Sequence, residues 1–146
     1  MFRPLSITAC LLALAACQSP ATAPPAPTAG TSAPSSAGTP WEQARARGSV
    51  FRGIGTEPGW WVEVGGGAAP RLQAELDYGE RRIEVAGASA TADGGYVGST
   101  ADGVAVSLTT AKEPCSDGMS DTEYPASATL TVGGRTYRGC GRFLKE

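Results

Sequence analysis

Hydrophobic and polar positions divide this chain into three regimes. Leu5 to Ala16 is a 12-residue apolar run behind the single positive charge of Arg3. From Cys17 to Pro40 no periodicity is visible. From Val50 onward the pattern has a period of two. Trp60, Val62 and Val64 alternate with Trp61 and Glu63. Leu72, Ala74 and Leu76 alternate with Gln73 and Glu75, and Ile83 and Val85 flank Glu84. Val104, Val106 and Leu108 alternate with Ala105 and Ser107, and Ala128, Leu130 and Val132 with Ser127, Thr129 and Thr131. Val50–Ile54 is apolar and glycine-rich, and Tyr96–Thr100 is a weaker strand. Arg135–Phe143 carries Tyr137 and Phe143 on one face. Such alternation gives each strand one wet and one dry face, the mark of an antiparallel sheet.

The breaks between these runs are Gly65-Gly66-Gly67, Asp77-Tyr78-Gly79, Asp93-Gly94-Gly95, Asp102-Gly103 and Gly133-Gly134. They favour positive φ and tight hairpins. About eight short strands in about 100 residues predict a sandwich or a small closed barrel. The abundant glycine suits a tightly curved sheet, so the expected fold is an all-β antiparallel barrel. Such a barrel is nearly filled by its own side chains, with room for a small ligand at most. Ahead of it, Trp41–Arg47 is good helix-forming sequence, started by Pro40 and stopped by Gly48. The expected organisation is a signal peptide (1–16), a linker (17–40) and a barrel domain (41–146).

Composition narrows the function. Among 146 residues there is no histidine. That excludes Ser-His-Asp and Cys-His catalysis and histidine metal sites. Lys and Arg number 12 against 14 Asp and Glu, a formal charge of −2 with no basic block. No nucleic-acid partner is expected.

The N-terminal run is too short for a bilayer span, which needs about 20 apolar residues, and it has the layout of a secretory signal. Its end, Leu14-Ala15-Ala16-Cys17, resembles the lipobox at which bacterial lipoproteins are acylated and cleaved. The resemblance implies lipidation at Cys17 and a stable membrane anchor, since such cysteines carry two or three acyl chains. In enteric lipoproteins Asp after the lipidated cysteine favours the inner membrane, so by that family rule the resemblance, with Gln18 in this place, implies the outer membrane, facing the periplasm. Residues 17–40 carry no charge and six of the eleven prolines. They read as a disordered tether with a mean reach of roughly 25–30 Å. Cys10 leaves with the signal, so Cys115 and Cys140 remain. In an oxidising periplasm that pair reads as a disulfide. Closing its 26-residue loop is worth ~3.5 kcal/mol in the chain-entropy account.

Three segments carry candidate chemistry. In Gly53–Trp61, Glu57 lies in a turn with Pro58 at the second position and Gly59 next. Glu57 is a candidate recognition group and Trp61 a stacking platform for a sugar or protein partner; Trp60 reads as core. In Cys115–Pro125, Asp117, Asp121 and Glu123 sit in a loop pinned by the cysteine pair. Their spacing does not match an EF-hand calcium loop. Either Ser116, Asp117, Ser120 and Asp121 form side-chain-to-backbone turns, or the loop is a rigid polar surface for a partner. Arg135, Arg138 and Arg142 form either a basic stripe or solvated strand faces.

Phe51–Trp60, Asp77-Tyr78-Gly79, Cys115–Asp121 with Tyr124-Pro125, and Arg138–Gly141 together resemble a family of small Gram-negative envelope lipoproteins described as predicted membrane proteins. That family implies this fold and disulfide and no particular activity. The layout is also similar to the membrane-bound C-type lysozyme inhibitors and the META-domain lipoproteins. The inhibitors typically carry a Phe-Trp followed by a Lys-Gly segment near the C-terminus. Here that region reads Gly141–Glu146, so no binding residues carry over. The expected function is a lipid-anchored, non-catalytic binding or structural module with an envelope protein or glycan partner and no cofactor or metal. The alternative is a periplasmic inhibitor of a lysozyme-like hydrolase. An enzyme reading would rest on paired carboxylates, Glu57 with Asp117 or Asp121.

Overall fold

A computed structural model describes residues 38–145. The signal, Cys17 and most of the linker lie outside the described residues. The chain folds as helix α1 (Pro40–Ala46), then strands β1 (Ser49–Thr56), β2 (Gly59–Gly65), β3 (Leu72–Leu76), β4 (Arg81–Val85), β5 (Ser89–Ala90), β6 (Tyr96–Ser99) and β7 (Ala105–Ala111). These are followed by β8 (Cys115–Ser116), β9 (Glu123–Tyr124), β10 (Ala126–Val132) and β11 (Arg135–Phe143). No helix among the described residues is long and apolar enough to cross a membrane.

Helix α1 starts one residue earlier than the sequence pattern suggests, and the last linker residues belong to it. Thr39 is its N-cap, and Thr39 and Glu42 form a reciprocal capping box, with Pro40 in the first turn. These satisfy amide donors that a helix start otherwise leaves unpaired. At 7 residues the helix is too short to persist alone, so packing holds it.

Nine strands form one antiparallel sheet in the order β4-β3-β2-β1-β11-β10-β7-β6-β5, and β8 and β9 form a separate two-stranded ribbon. The all-β expectation therefore holds, with more strands than the eight anticipated. The short pairs β5, β8 and β9 have too few residues to show a period. The sheet curls into a half-barrel. Its ladder ends at β4 and β5, so hydrogen bonds do not close it. Side chains meet across the gap instead: a Cβ on Gly98 of β6 would lie 2.5 Å from a methyl of Val85 at the end of β4. Only glycine lets those two strands come this close.

The inward faces match the alternation. Phe51, Trp60, Val62, Val64, Leu72, Leu76, Leu108, Leu130 and Tyr137 fill a single core. The Trp60 indole N–H donates to the Arg138 carbonyl, so this large ring enters the core with its polar edge satisfied. On the outer face of β11, Cys140 bonds to Cys115. That link holds the β8–β9 ribbon against the sheet.

Candidate functional site

The β1–β2 hairpin turns at Glu57-Pro58. Thr56 pairs with Gly59, and the Glu57–Pro58 peptide is cis. Proline thus occupies the third turn position rather than the second, as cis proline does in a type VI turn. Glu57 is exposed at the tip. The Thr56 hydroxyl donates to the Asp117 carbonyl (3.4 Å) and ties the tip to the Cys115–Tyr124 loop.

That loop is built by side chains. Asp117 Oδ1 accepts from the amides of Met119 (3.0 Å) and Ser120 (2.9 Å), and Oδ2 from the Tyr124 hydroxyl (3.3 Å). Ser116 accepts from the Gly118 amide and Ser120 from the Thr122 amide. Hydrogen bonds from the Met119 and Ser120 amides hold the Asp117 carboxyl below the ordinary aspartate value. These are the side-chain-to-backbone turns expected of Ser116, Asp117 and Ser120; Asp121 makes none of them. Among the described residues, no three acids or cysteines gather into a metal-binding group.

Together the tip and the loop enclose an open cleft of about 490 Å³ lined by Gly55, Thr56, Glu57, Asp117, Met119 and Arg138. Residues from all three candidate segments meet there. The cleft lining does not include Trp61 or Asp121. The three arginines do not form a stripe. Arg135 pairs with Asp77 at 2.9 Å, Arg142 lies 5.3 Å from the Trp41 ring centroid, and Arg138 lines the cleft. Comparison with family descriptions, curated proteins and solved structures finds no match to the chain.

On the other flank of the tip is a residue the alternation treats only as a turn. Asp77, Tyr78 and Gly79 all have positive φ (53°, 59° and 97°). For Asp77 and Tyr78 this is a sparsely populated backbone region, costing of order 1–3 kcal/mol each. Surrounding bonds fix it. The Asp77 carboxylate accepts from Arg135 (3.0 Å) and the Tyr137 hydroxyl (3.2 Å), and the Tyr78 hydroxyl donates to the Thr56 carbonyl (3.1 Å). The Tyr78 ring crosses Gly59, where a Cβ would strike it at 2.6 Å. Tyr78 is nevertheless 74% exposed, and Met119 on the opposite flank is 69% exposed. Among the described residues only Val97 joins them as an exposed large hydrophobic.

Trp61 belongs to a different surface, the outer face of the sheet. Arg52, 5.0 Å from the Trp61 ring centroid and 5.8 Å from that of Trp41, lies directly across the ladder from both Arg142 and Glu63. Arg142 continues the row 5.6 Å from the Tyr124 ring. Aromatic rings and guanidiniums therefore alternate from Trp61 through Arg52, Trp41 and Arg142 to Tyr124. Glu63 anchors the row. It is 1% exposed and accepts from Arg47 (2.6 Å), Ser49 (3.1 Å), Gln73 (3.4 Å) and Arg52. Burial drives the Glu63 carboxyl up, but the Arg47 hydrogen bond and the Arg52 charge outweigh it and hold it below the ordinary glutamate value. The alternation places Glu63 on the outer face correctly. It gives no sign that helix α1, 16 residues away along the chain at Arg47, covers it.

Proposed function

We propose that the protein is a lipid-anchored bacterial envelope lipoprotein, attached through Cys17, that works as a non-catalytic docking module for an envelope protein. The observation that carries this reading is the convergence at one end of the sheet. The Glu57–Pro58 tip is flanked by the Asp77–Gly79 turn, which carries Tyr78, and by the disulfide-linked 115–124 loop, which carries Met119, and Arg138 of β11 joins Glu57 and Met119 in the cleft between tip and loop. Exposed apolar side chains among charged neighbours, on hydrogen-bonded loops, suit a surface that binds without reorganising. Backbone strain kept at Tyr78 supports the same reading, because glycine would hold that turn at less cost.

The test is co-purification of partners with the full-length lipoprotein, extracted from membranes in detergent after cross-linking. Wild type, Glu57→Ala, Arg138→Ala and Tyr78→Gly are compared at matched thermal stability. A partner retained by wild type and lost from the three variants supports docking at the tip. Retention that all three variants keep, or no specific retention, overturns it. Anchoring is tested separately by metabolic palmitate labelling, which Cys17→Ser should abolish.

One observation favours the second reading, an inhibitor of a lysozyme-like hydrolase. The Met119 side chain stands exposed on a loop braced by Asp117 and the Cys115–Cys140 bond, as an inhibitory loop requires. Stoichiometric slowing of lysozyme by the wild type, relieved by Met119→Ala, would favour inhibition. Full hydrolase activity in excess lipoprotein would eliminate it.

A further inference from the structure

Away from the tip, the outer face of β2, β3 and β4 holds a second depression of about 410 Å³. Trp61, Arg71, Gln73, Glu75, Arg82 and Glu84 line it. Strand register explains the grouping. Trp61 stands opposite Glu75 and Glu75 opposite Arg82, while Gln73 stands opposite Glu84 in the next row. Neighbouring strands are about 4.8 Å apart and successive outward residues about 6.6 Å apart. The result is one indole beside a grid of flat amide, carboxylate and guanidinium groups, at a spacing that suits a sugar ring.

Charge limits the ligand. Arg71 pairs with Glu84 at 2.9 Å and Arg82 with Glu75 at 3.2 Å, so the ionic groups cancel. A charged ligand therefore meets no net charge of opposite sign there, and gains nothing over a neutral one. A neutral polyhydroxyl ligand still finds partners, because a paired guanidinium keeps spare N–H donors and a paired carboxylate spare lone pairs. Gln73 adds an uncharged amide. The indole is also fixed in advance. Arg52 sits 5.0 Å from its centroid and is itself held by the buried Glu63. A ring already held in place loses little freedom on binding.

We infer that this depression binds a neutral saccharide. Trp61 packs against the C–H face of a sugar ring, and Gln73, Glu75, Arg82 and Glu84 hydrogen-bond its hydroxyls. The site uses neither Glu57 nor the tip, so it goes beyond the docking reading and stands or falls separately.

Full-length lipoprotein in a sugar-free detergent is titrated with neutral trisaccharides of N-acetylglucosamine, of α-linked glucose and of β-linked glucose. Tryptophan fluorescence and ligand-observed NMR follow binding, and a sulfated trisaccharide serves as the anionic comparison. The expected result is weak, saturable binding of at least one neutral trisaccharide. Trp61→Ala should weaken it roughly tenfold or more, the scale of one aromatic stacking contact. Trp61→Phe should retain some of it, Gln73→Ala should weaken it, and Glu57→Ala should leave it unchanged. If Trp61→Ala does not fold, Trp61→Phe and Gln73→Ala decide. No binding of any neutral trisaccharide overturns the inference. So does stronger binding of the sulfated one, or binding indifferent to both Trp61→Phe and Gln73→Ala.

Discussion

Glu63 shows how much one side chain carries. Its carboxylate is buried beneath Arg47 and faces an Arg52 side chain that is only 11% exposed. Removing it strands a mostly buried guanidinium, a change that costs about 3–5 kcal/mol. Glu63→Ala should therefore lower the unfolding free energy by that amount, as chemical denaturation would measure. The pH dependence has a definite sign. The folded-state carboxyl lies below its ordinary value, so its contribution is complete above about pH 4.3 and is lost as pH falls through the lower folded value. Wild type should lose stability in that acid range, and Glu63→Gln should flatten the loss. Tyr78 is the opposite case, a residue whose conformation costs energy. Tyr78→Gly relieves the positive φ and gives up the bond to Thr56, so stability should stay within about 1 kcal/mol of wild type by thermal melt. The sequence made Glu63 visible as outward-facing and Tyr78 as a turn residue. Burial of the first and exposure of the second depend on chain segments brought together only by folding.

At the scale of elements, helix α1 works as a cover for charge. Arg52 and Arg142 face each other directly across the β1–β11 ladder, an arrangement that is unfavourable for like charges. Glu63 offsets one of them, and the Trp41 ring lies close to both. Trp41→Ala should cost about 2 kcal/mol through lost cation–π contact and burial. Hydrogen exchange should then show faster exchange at the α1 amides of Gln43 and Arg47 with the β1–β2 ladder still protected. The longer strands were legible because their period-two pattern spans five or more residues. The helix was legible in Trp41–Arg47 with Pro40 ahead of it, but its Thr39–Glu42 capping box was not, because Thr39 closes a segment that reads as linker. Two-residue strands such as β8 and β9 have no periodicity to read. The cleft was legible only piecemeal: Glu57, Asp117 and Arg138 were each picked out as candidates. Their meeting depends on β1 and β11 being neighbours although they lie at opposite ends of the folded chain. Trp61, read together with Glu57 because they are four residues apart, faces a different surface because a hairpin turn separates them.

For the molecule as a whole, the open ladder creates an exposed edge at β4. Arg81, Arg82 and Glu84 are exposed there, and charge on an edge strand discourages pairing with other chains. Replacing Arg81 and Arg82 together with valine should leave the melting temperature near wild type but cause concentration-dependent aggregation, followed by light scattering. The strand order has a mechanical meaning as well. Whatever precedes Gly38 is joined to the sheet through α1, and α1 leads into β1. That strand lies in the interior of the sheet, gripped on one side by β2 and on the other by β11. A pull arriving along the chain first loads the Trp41 stack and the Arg47–Glu63 pair, side-chain contacts that give way singly. Hydrogen-bonded ladders on both sides of β1 stand behind them. The helix is thus placed as a sacrificial link, loaded before the strands that present the cleft.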